Sequence, residues 1–511
     1  MDTLDVIVLG GGIVGLSAAA HLRKAGLRFR VVERAYEVGG TWRDHDYPGC
    51  GADTEASTYV PSFEPLYSKR RFATRQELFD YCKLIAAKHV GYEHILLNHT
   101  VLGAEFVSET NRWKVSTDHG ELSAQYVIWA TFSGADVTKV KRPLFPDQDR
   151  FQGMLKHSTE LGSDLDFFKG KKVTLVGCGA TAIQMVPTIY PVVKELNILS
   201  RTVPYVKKCD LGEGPTTRFG YRLQGALLRC RNEMISFFDN HAKLEFLYRW
   251  PYRFHEYTLK RGKLPAAAIP PFAQPVQCTR RGFDYLGFRD TLSKPGVNFI
   301  DLKQGTGIEG YYENGLIAHG RRIESDVVIL STGYHMAELN FSIKVDGRPF
   351  HSAADKMMGM YGVIDGLPNS LLTVFGSPVW IIPPRLAEFN TKVFIRLIHH
   401  MKKKGHERAD INVPTASKTM ALVHRLNKGH IVLSRACTSY RYLLSNTGQE
   451  KAHRLPAKTP ANLPYVPFPS VVMELLTRLT FSFKHFDFDS PAAAKRDEPG
   501  DLKAEDSYAS S

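Results

Sequence analysis

Two stretches of the chain carry the same pattern of apolar and polar positions. Val6-Ile7-Val8-Leu9 and Val173-Thr174-Leu175-Val176 are short, largely β-branched runs without polar alternation, as expected of strands buried on both faces of a parallel sheet. Each runs into a glycine-rich turn and then an Ala-rich stretch of helical spacing. The turns are Gly10-Gly11-Gly12-Ile13-Val14-Gly15 and Gly177-Cys178-Gly179-Ala180-Thr181-Ala182. Another apolar run follows each helix, at Arg28–Val32 and Glu195–Ser200, and the runs Tyr126–Thr131 and Asp326–Tyr334 bring a returning strand to each unit. Strand and helix alternating in this way predict an α/β fold with two Rossmann-like dinucleotide-binding domains.

The turns also carry chemistry. In the dinucleotide fingerprint the first glycine allows the tight strand-to-helix turn, the second lets the backbone approach the pyrophosphate, and the third packs helix on strand. The phosphates then sit on the free N–H groups of a helix N-terminus. Gly10, Gly12 and Gly15 fill these positions in the first unit; Gly177, Gly179 and Ala182 fill them in the second, Ala being a tolerated third member. Glu33 ends the second strand of the first unit, near the roughly 20-residue spacing of an acid that hydrogen-bonds ribose hydroxyls. The second unit has Arg201 and Thr202 at the corresponding place and no acid. An Arg there suits the 2′-phosphate of NADP and leaves NAD without a ribose partner. Two dinucleotides on one chain point to electron transfer between them, most economically from a nicotinamide to a flavin.

The returning strands set the expected layout. An FAD domain covers 1–155, an NADP domain is inserted at 156–325, and the FAD domain resumes with C-terminal helices over 326–488. Within the insert, 214–275 is helical in pattern and dense in aromatics and arginines, a composition suited to core packing or to a helical cap over an active site. Val471–Phe483 is apolar enough for a terminal helix, a packed one being favoured over one that touches a membrane. Residues 489–511 read as a disordered tail. No run has the length and apolarity of a bilayer span, and the first strand starts too early for an ordinary secretory signal.

Length and composition change this picture little. The 511 residues, 43% hydrophobic and 23% charged, are ordinary for a soluble globular chain. The net charge of +14 favours anionic ligands such as phosphorylated cofactors, or an acidic membrane surface. With no dense basic stripe or recognisable motif, nucleic acid is not an expected partner. The seven cysteines show neither CxxC nor metal-ligand spacing. They read as free thiols of a reducing compartment, the cytoplasm, with no metal. Oligomeric state is not legible.

The motifs taken in order resemble the class B flavoprotein monooxygenases, and among them the Baeyer–Villiger monooxygenases more than the N- and S-oxygenating enzymes. The resemblance spans roughly residues 4–400. It is carried by Gly39-Gly40-Thr41-Trp42, by Tyr47-Pro48-Gly49-Cys50 with Asp53, and by Phe151-Gln152-Gly153-Met154-Leu155-Lys156-His157. Gly179-Ala180-Thr181-Ala182-Ile183-Gln184, Ser200-Arg201-Thr202 and Cys278-Thr279-Arg280 extend it, as do Gly366-Leu367-Pro368-Asn369 and Gly376-Ser377-Pro378.

The resemblance implies that NADPH reduces FAD, that O₂ is captured as a flavin C4a-peroxide, and that one oxygen enters a small-molecule ketone to give an ester or lactone. It implies Arg280 as the catalytic cation and Asp53 as the acid that holds it. A fixed guanidinium suits developing negative charge because it stays charged and presents several donors. Flavin-side contacts are implied for Gly40, Thr41, Trp42, Asp53, Tyr59 and Val101, and NADP contacts for Ala180, Thr181, Gln184, Arg201 and Thr202. His157 is implied as a hinge that couples NADP binding to flavin chemistry. Arg281 leaves the register of the catalytic Arg open by one residue.

The chain also departs from the family pattern. Leu161 stands where an aromatic is usual, Thr279 where a Lys is usual, Gly51-Ala52 replace the common pair before Asp53, and the turn Ala130-Thr131-Phe132-Ser133-Gly134 is lengthened. An N- or S-oxygenating monooxygenase and a sensor-type FAD/NADP-binding protein therefore stay open as alternatives. A disulfide reductase does not, because Trp42 occupies the region of its redox cysteine pair and Cys50 has no close partner.

Overall fold

The computed structural model describes residues 3–131, 140–201, 281–303, 305–334, 341–350, 359–373, 383–416 and 481–489, with shorter pieces at 204–209, 212–214, 217, 219–228, 265, 268 and 418. The first sheet is organised around strand β1 (Leu4–Leu9), helix α1 (Ile13–Lys24) and strand β2 (Phe29–Val32). β1 pairs in parallel with β2 on one side and with β3 (Gly120–Trp129) on the other. Val6 to Leu9 are sealed from solvent, which is why no polar alternation shows there. β3 continues antiparallel into Arg112–Thr117 and Val101–Val107. Ser342–Val345 and Ser370–Leu372, from much later in the chain, join in parallel beside Val101–Val107 and β3.

The second sheet is wholly parallel. Its strands are β4 (Met154–His157), β5 (Lys172–Val176), β6 (Glu195–Ser200), β7 (Val297–Asp301) and β8 (Val327–Leu330), in spatial order β7-β6-β5-β8-β4. Helix α2 (Ala180–Ile189) connects β5 to β6. The expected start at 156 falls within β4, and the expected end at 325 lies two residues before β8. β4 opens the second unit and β8 closes it. The four residues of β8 are buried between β5 and β4, and an apolar strand of that kind needs neighbours on both edges and cover on both faces. The two crossings between units lie side by side. Val140 forms an antiparallel bridge with Tyr334, Lys141 N donates to Gly333 O at 2.9 Å, and the Thr332 hydroxyl donates to the Lys141 carbonyl.

The third part of the chain also packs helix α3 (Pro383–Lys404) on the first unit. Its Ala387, Phe394, Leu397, Ile398 and Met401 share one buried cluster with Leu16, Ala18, Ala19 and Leu22 of α1. Of the helical cap expected over 214–275, a helix at 219–228 is described, with Tyr221 packed in the first unit's core. Most of that segment, 471–480 of the expected terminal helix and 490–511 of the expected tail lie outside the described residues. Among the described residues no helix is long and apolar enough to cross a membrane.

α3 also has a polar anchor. The buried Glu388 carboxylate accepts from Ser62 N at 2.8 Å, from the Ser62 hydroxyl and from Lys392 Nζ at 2.6 Å, and lies 3.5 Å from His21 Nε2. Burial alone would raise its pKa, but the contacts from His21, Lys392 and Ser62 outweigh that and hold it well below the usual carboxylate range. A depressed acid stabilises the fold above its unfolded pKa, and the contribution is lost as pH falls below it. Glu388→Gln should lower stability at pH 7 by roughly 3 kcal/mol and should flatten the acid-side loss below about pH 4.5. Thermal midpoints across pH read both effects, and coincident wild-type and variant curves refute the anchor.

Candidate active site

The β1–α1 turn has no room for side chains where the chain doubles back. A Cβ on Gly15 would lie 1.9 Å from the Gly10 carbonyl oxygen, so only glycine permits this packing of helix on strand. Gly12 begins α1 with no side-chain cap and no acid in the first turn. A Cβ there would meet nothing nearer than Gly40 Cα at 3.7 Å. The N–H groups of the first turn thus have no side-chain cap, and the positive end of the helix dipole lies behind them. Gly39 N donates to Gly11 O at 2.9 Å, which sets Gly40 and the short helix Thr41–Asp44 beside this turn. Trp42 meets Tyr59 edge to face at 5.6 Å, and burial raises the Tyr59 hydroxyl well above the usual phenol range. A turn closed to side chains and a helix end open to an anion fit a dinucleotide.

Glu33 is buried at the end of β2. Its Oε2 accepts from Gly11 N at 2.7 Å, and its Oε1 accepts from Ala35 N at 3.1 Å and Arg43 Nη1 at 3.0 Å. Arg43 also donates through Nε to Asp44 Oδ1 at 2.6 Å. Desolvation would lower the Arg43 pKa, but Asp44 and Glu33 raise it. Sequence reasoning missed Arg43; its position directly after Trp42 in an otherwise buried motif was the available signal. Asn98 N and His99 N donate to Ala35 O and Glu33 O, each at 2.9 Å. This brings Val101, at the start of its strand, to the Glu33 end of the sheet.

The second turn is built alike. Gly177 has φ +105°, and a Cβ on it would lie 2.5 Å from the Ser331 carbonyl oxygen. Gly179 has nothing within 4 Å and begins α2 without a side-chain cap or an acid in the first turn. Ala180 and Thr181 open that helix. Arg201 follows β6 and is exposed. Thr202 lies outside the described residues.

The two units meet where the Tyr47-Pro48-Gly49-Cys50 loop lies on α2. A Cβ on Gly49 would be 2.4 Å from Thr188 Oγ1 and 2.5 Å from Gln184 O. Gln184, expected as a nucleotide contact, instead directs its side-chain amide to the protein. It accepts from Tyr47 Oη at 2.8 Å and donates to Gly51 O and Tyr285 Oη, each at 2.9 Å. The cause is its place on α2, one turn in from the N-terminus and on the face against the first unit. Gly51 starts the strand Gly51–Glu55 that carries Asp53. Burial lifts the Asp53 carboxyl above the usual aspartate range, and among the described residues no cation stands at ion-pair distance from it.

Cys278, Thr279 and Arg280 lie outside the described residues. The described chain resumes with the strand Arg281–Asp284, paired in parallel with Tyr205–Lys208. Tyr285, the next residue, is buried and stacks on Phe72 at 4.7 Å. Phe72 in turn opposes Glu55 across the antiparallel pair. The chain just after Arg280 is thereby delivered to the Asp53 strand. Tyr285 is a second residue missed in the sequence, where it reads as one more core aromatic.

His157 ends β4 with no solvent exposure, in ring contact with Tyr334 at 5.6 Å, and the Tyr334 hydroxyl is 3.2 Å from His45 Nδ1. Leu161 packs in the second unit's core with Phe168 and Ile183. Burial, then the nearby Arg142 charge, pushes His157 down to about 4. A histidine with a depressed pKa stabilises the fold above its unfolded value near 6.5, and the contribution is lost as pH falls toward 4. His157→Gln should therefore make stability less steep in pH over that interval, by up to roughly 3 kcal/mol. Midpoints measured at pH 7.5 and pH 4.5 should differ less in the variant; equal differences sink the assignment.

Residues 8–72 match the family described as an NAD(P)-binding Rossmann-like domain. A Baeyer–Villiger monooxygenase of Streptomyces coelicolor is 30% identical over 393 residues, 73% of this chain and 73% of its own. An oxidized steroid monooxygenase bound to NADP superposes with a TM-score of 0.76 at 23% identity, over 95% of this chain and 99% of that one. The OTEMO complex with FAD and NADP gives 0.73 at 18% identity, over 95% and 99%. These two structures carry the fold, a pair of Rossmann-like domains, and the Streptomyces relative carries the family. The chain belongs to the Baeyer–Villiger monooxygenases, FAD- and NADP-dependent oxidoreductases.

Proposed function

We propose that this enzyme uses NADPH and O₂ to insert one oxygen atom into a small-molecule ketone. The products are an ester or lactone, NADP⁺ and water. The observation that carries the reading is the pair of glycine turns that each open an uncapped helix, with the Asp53 strand bonded to the second helix through Gly51 and Gln184. Gly10, Gly12 and Gly15 would hold the FAD pyrophosphate on α1, with Glu33 at the ribose and Val101 on the adenosine side. Gly40, Thr41, Trp42 and Tyr59 would line the flavin side. Gly177, Gly179, Ala180 and Thr181 would hold the NADPH pyrophosphate on α2, with Arg201 and Thr202 at the 2′-phosphate. FAD, once reduced, supplies the activated oxygen.

The protein's own task is electrostatic. Arg280 places a fixed positive charge where negative charge develops on the reacting oxygens. Asp53 orients that guanidinium, and the guanidinium in turn favours the ionised form of a carboxyl whose pKa burial raises. The free thiols of Cys50, Cys82, Cys178 and Cys209 suit a reducing compartment, the cytoplasm.

Arg280→Ala should retain FAD and continue to oxidise NADPH with release of hydrogen peroxide, while ester formation falls about 10²–10³-fold. Asp53→Ala should give a milder version, and Arg281→Ala, made in parallel, resolves the register. Product analysis on cyclic, aryl and long-chain ketones beside amines and sulfides is the measurement. Normal ester yield from Arg280→Ala, or a wild type that yields only N- and S-oxides, would falsify the Baeyer–Villiger reading. A wild type that binds both cofactors without oxygenating any substrate favours a sensor. Separately, Arg201→Ala should raise the KM for NADPH about tenfold to a hundredfold and leave that for NADH unchanged. Equal losses with both coenzymes remove Arg201 from the 2′-phosphate site.

A further inference from the structure

Gln184 touches more of the junction than any single role in packing requires. We propose that its side-chain amide is the link by which a nucleotide bound at the N-terminus of α2 sets the position of the Asp53 strand and of the chain that follows Arg280. The inference rests on the reading of the two cradles given above. It makes Gln184 a positioning residue, acting through its partners and not on the reacting atoms.

The amide is fully committed. Both Nε2 protons donate, to Gly51 O and to Tyr285 Oη, and Oε1 accepts from Tyr47 Oη. The side chain is 3% exposed, so no water exchanges easily for these partners. The orientation is also unique. Flipping the amide would set its oxygen against the Gly51 carbonyl oxygen, acceptor facing acceptor in a low-dielectric site. A side chain locked in this way transmits displacement instead of absorbing it.

Each partner leads to a different part of the site. Gly51 is two residues before Asp53 on the same short strand. Tyr285 directly follows the strand Arg281–Asp284 and is fixed on its other face by stacking on Phe72. The Tyr47 hydroxyl also lies against Thr181, within the nucleotide fingerprint itself. Backbone contact leaves little slack, since Gly49 already sits where a methyl group would overlap Gln184 O and Thr188 Oγ1. A shift of α2 on capturing a phosphate at Gly179–Thr181 is therefore passed to Gly51 and Tyr285 together. The neighbours of the junction, Ile183, Leu161 and Cys50, belong to an apolar cluster. An apolar side chain would fill that space and omit the directional link.

The test uses the FAD-loaded protein and NADP⁺, which permits no turnover. Flavin absorbance difference spectra are recorded during an NADP⁺ titration of the wild type, Gln184→Met, Tyr285→Phe and Tyr47→Phe. Gln184→Met keeps the volume and removes the three hydrogen bonds. It should retain the wild-type flavin content and bind NADP⁺ with a Kd within about threefold, but lose about fivefold or more of the spectral amplitude. With NADPH and substrate it should release more peroxide per NADPH consumed. Tyr285→Phe removes one of the three bonds, Tyr47→Phe removes another together with the Thr181 contact, and both should fall between. A wild-type amplitude and wild-type coupling in Gln184→Met overturn the inference and leave Gln184 as packing. If Gln184→Met fails to fold, Tyr285→Phe, which keeps its ring stacking, decides by the same readout. A wild type that holds no flavin, or whose flavin does not respond to NADP⁺ at all, overturns the cradle reading beneath it.

Discussion

Two nucleotide cradles serve one reaction only if the backbone between them is held in fixed register, and here that constraint is the contact of Gly49 with α2. The Tyr47–Cys50 loop leaves the first unit and lies against the second so closely that no side chain fits between Gly49 and the helix. Tyr47, Gln184, Gly51 and Tyr285 then add directional hydrogen bonds to a contact that sterics alone would leave free to slide. The Asp53 strand inherits its place from this arrangement, and so does the chain entering at Arg281.

Glu33 and Asp53 show how differently the fold treats two acids of the first unit. Glu33 has two backbone donors and Arg43, so its charge is matched where it lies. Asp53 has burial and, among the described residues, no cation at ion-pair distance. A buried carboxylate without a partner is expensive. Acids of the first kind hold structure together. Those of the second kind are tolerated where a ligand or a mobile cation completes them.

What could be read from the sequence was what is local. The runs Val6–Leu9 and Val173–Val176, the turns after them, and the acid or Arg at the end of the next strand all lie within a few tens of residues, and their spacing follows from strand and helix geometry. The limits of the inserted unit were less legible. β4 and β8 have four residues each, and which sheet they join depends on neighbours far away in the chain. The partners of Gln184 were not legible and Tyr285 was missed for a related reason. A Gln inside a nucleotide motif reads as a ligand until its partners appear at Tyr47, Gly51 and Tyr285, from distant parts of the chain. Arg43 was closer to legible, because a guanidinium in a buried motif requires a carboxylate and Glu33 is ten residues away.

The paired crossings at Val140–Tyr334 and Lys141–Gly333 have a mechanical meaning. A unit joined to its host by one strand can swivel about that strand in any direction. A unit joined by two strands hydrogen-bonded to each other is held as a leaf is held by a ribbon. It can bend across the ribbon, while twist about the long axis would break the pairing. Inserting one nucleotide unit into the other thus does more than connect them. Pairing at Val140–Tyr334 and Lys141–Gly333 ties the two connections together and opposes twist of one unit against the other.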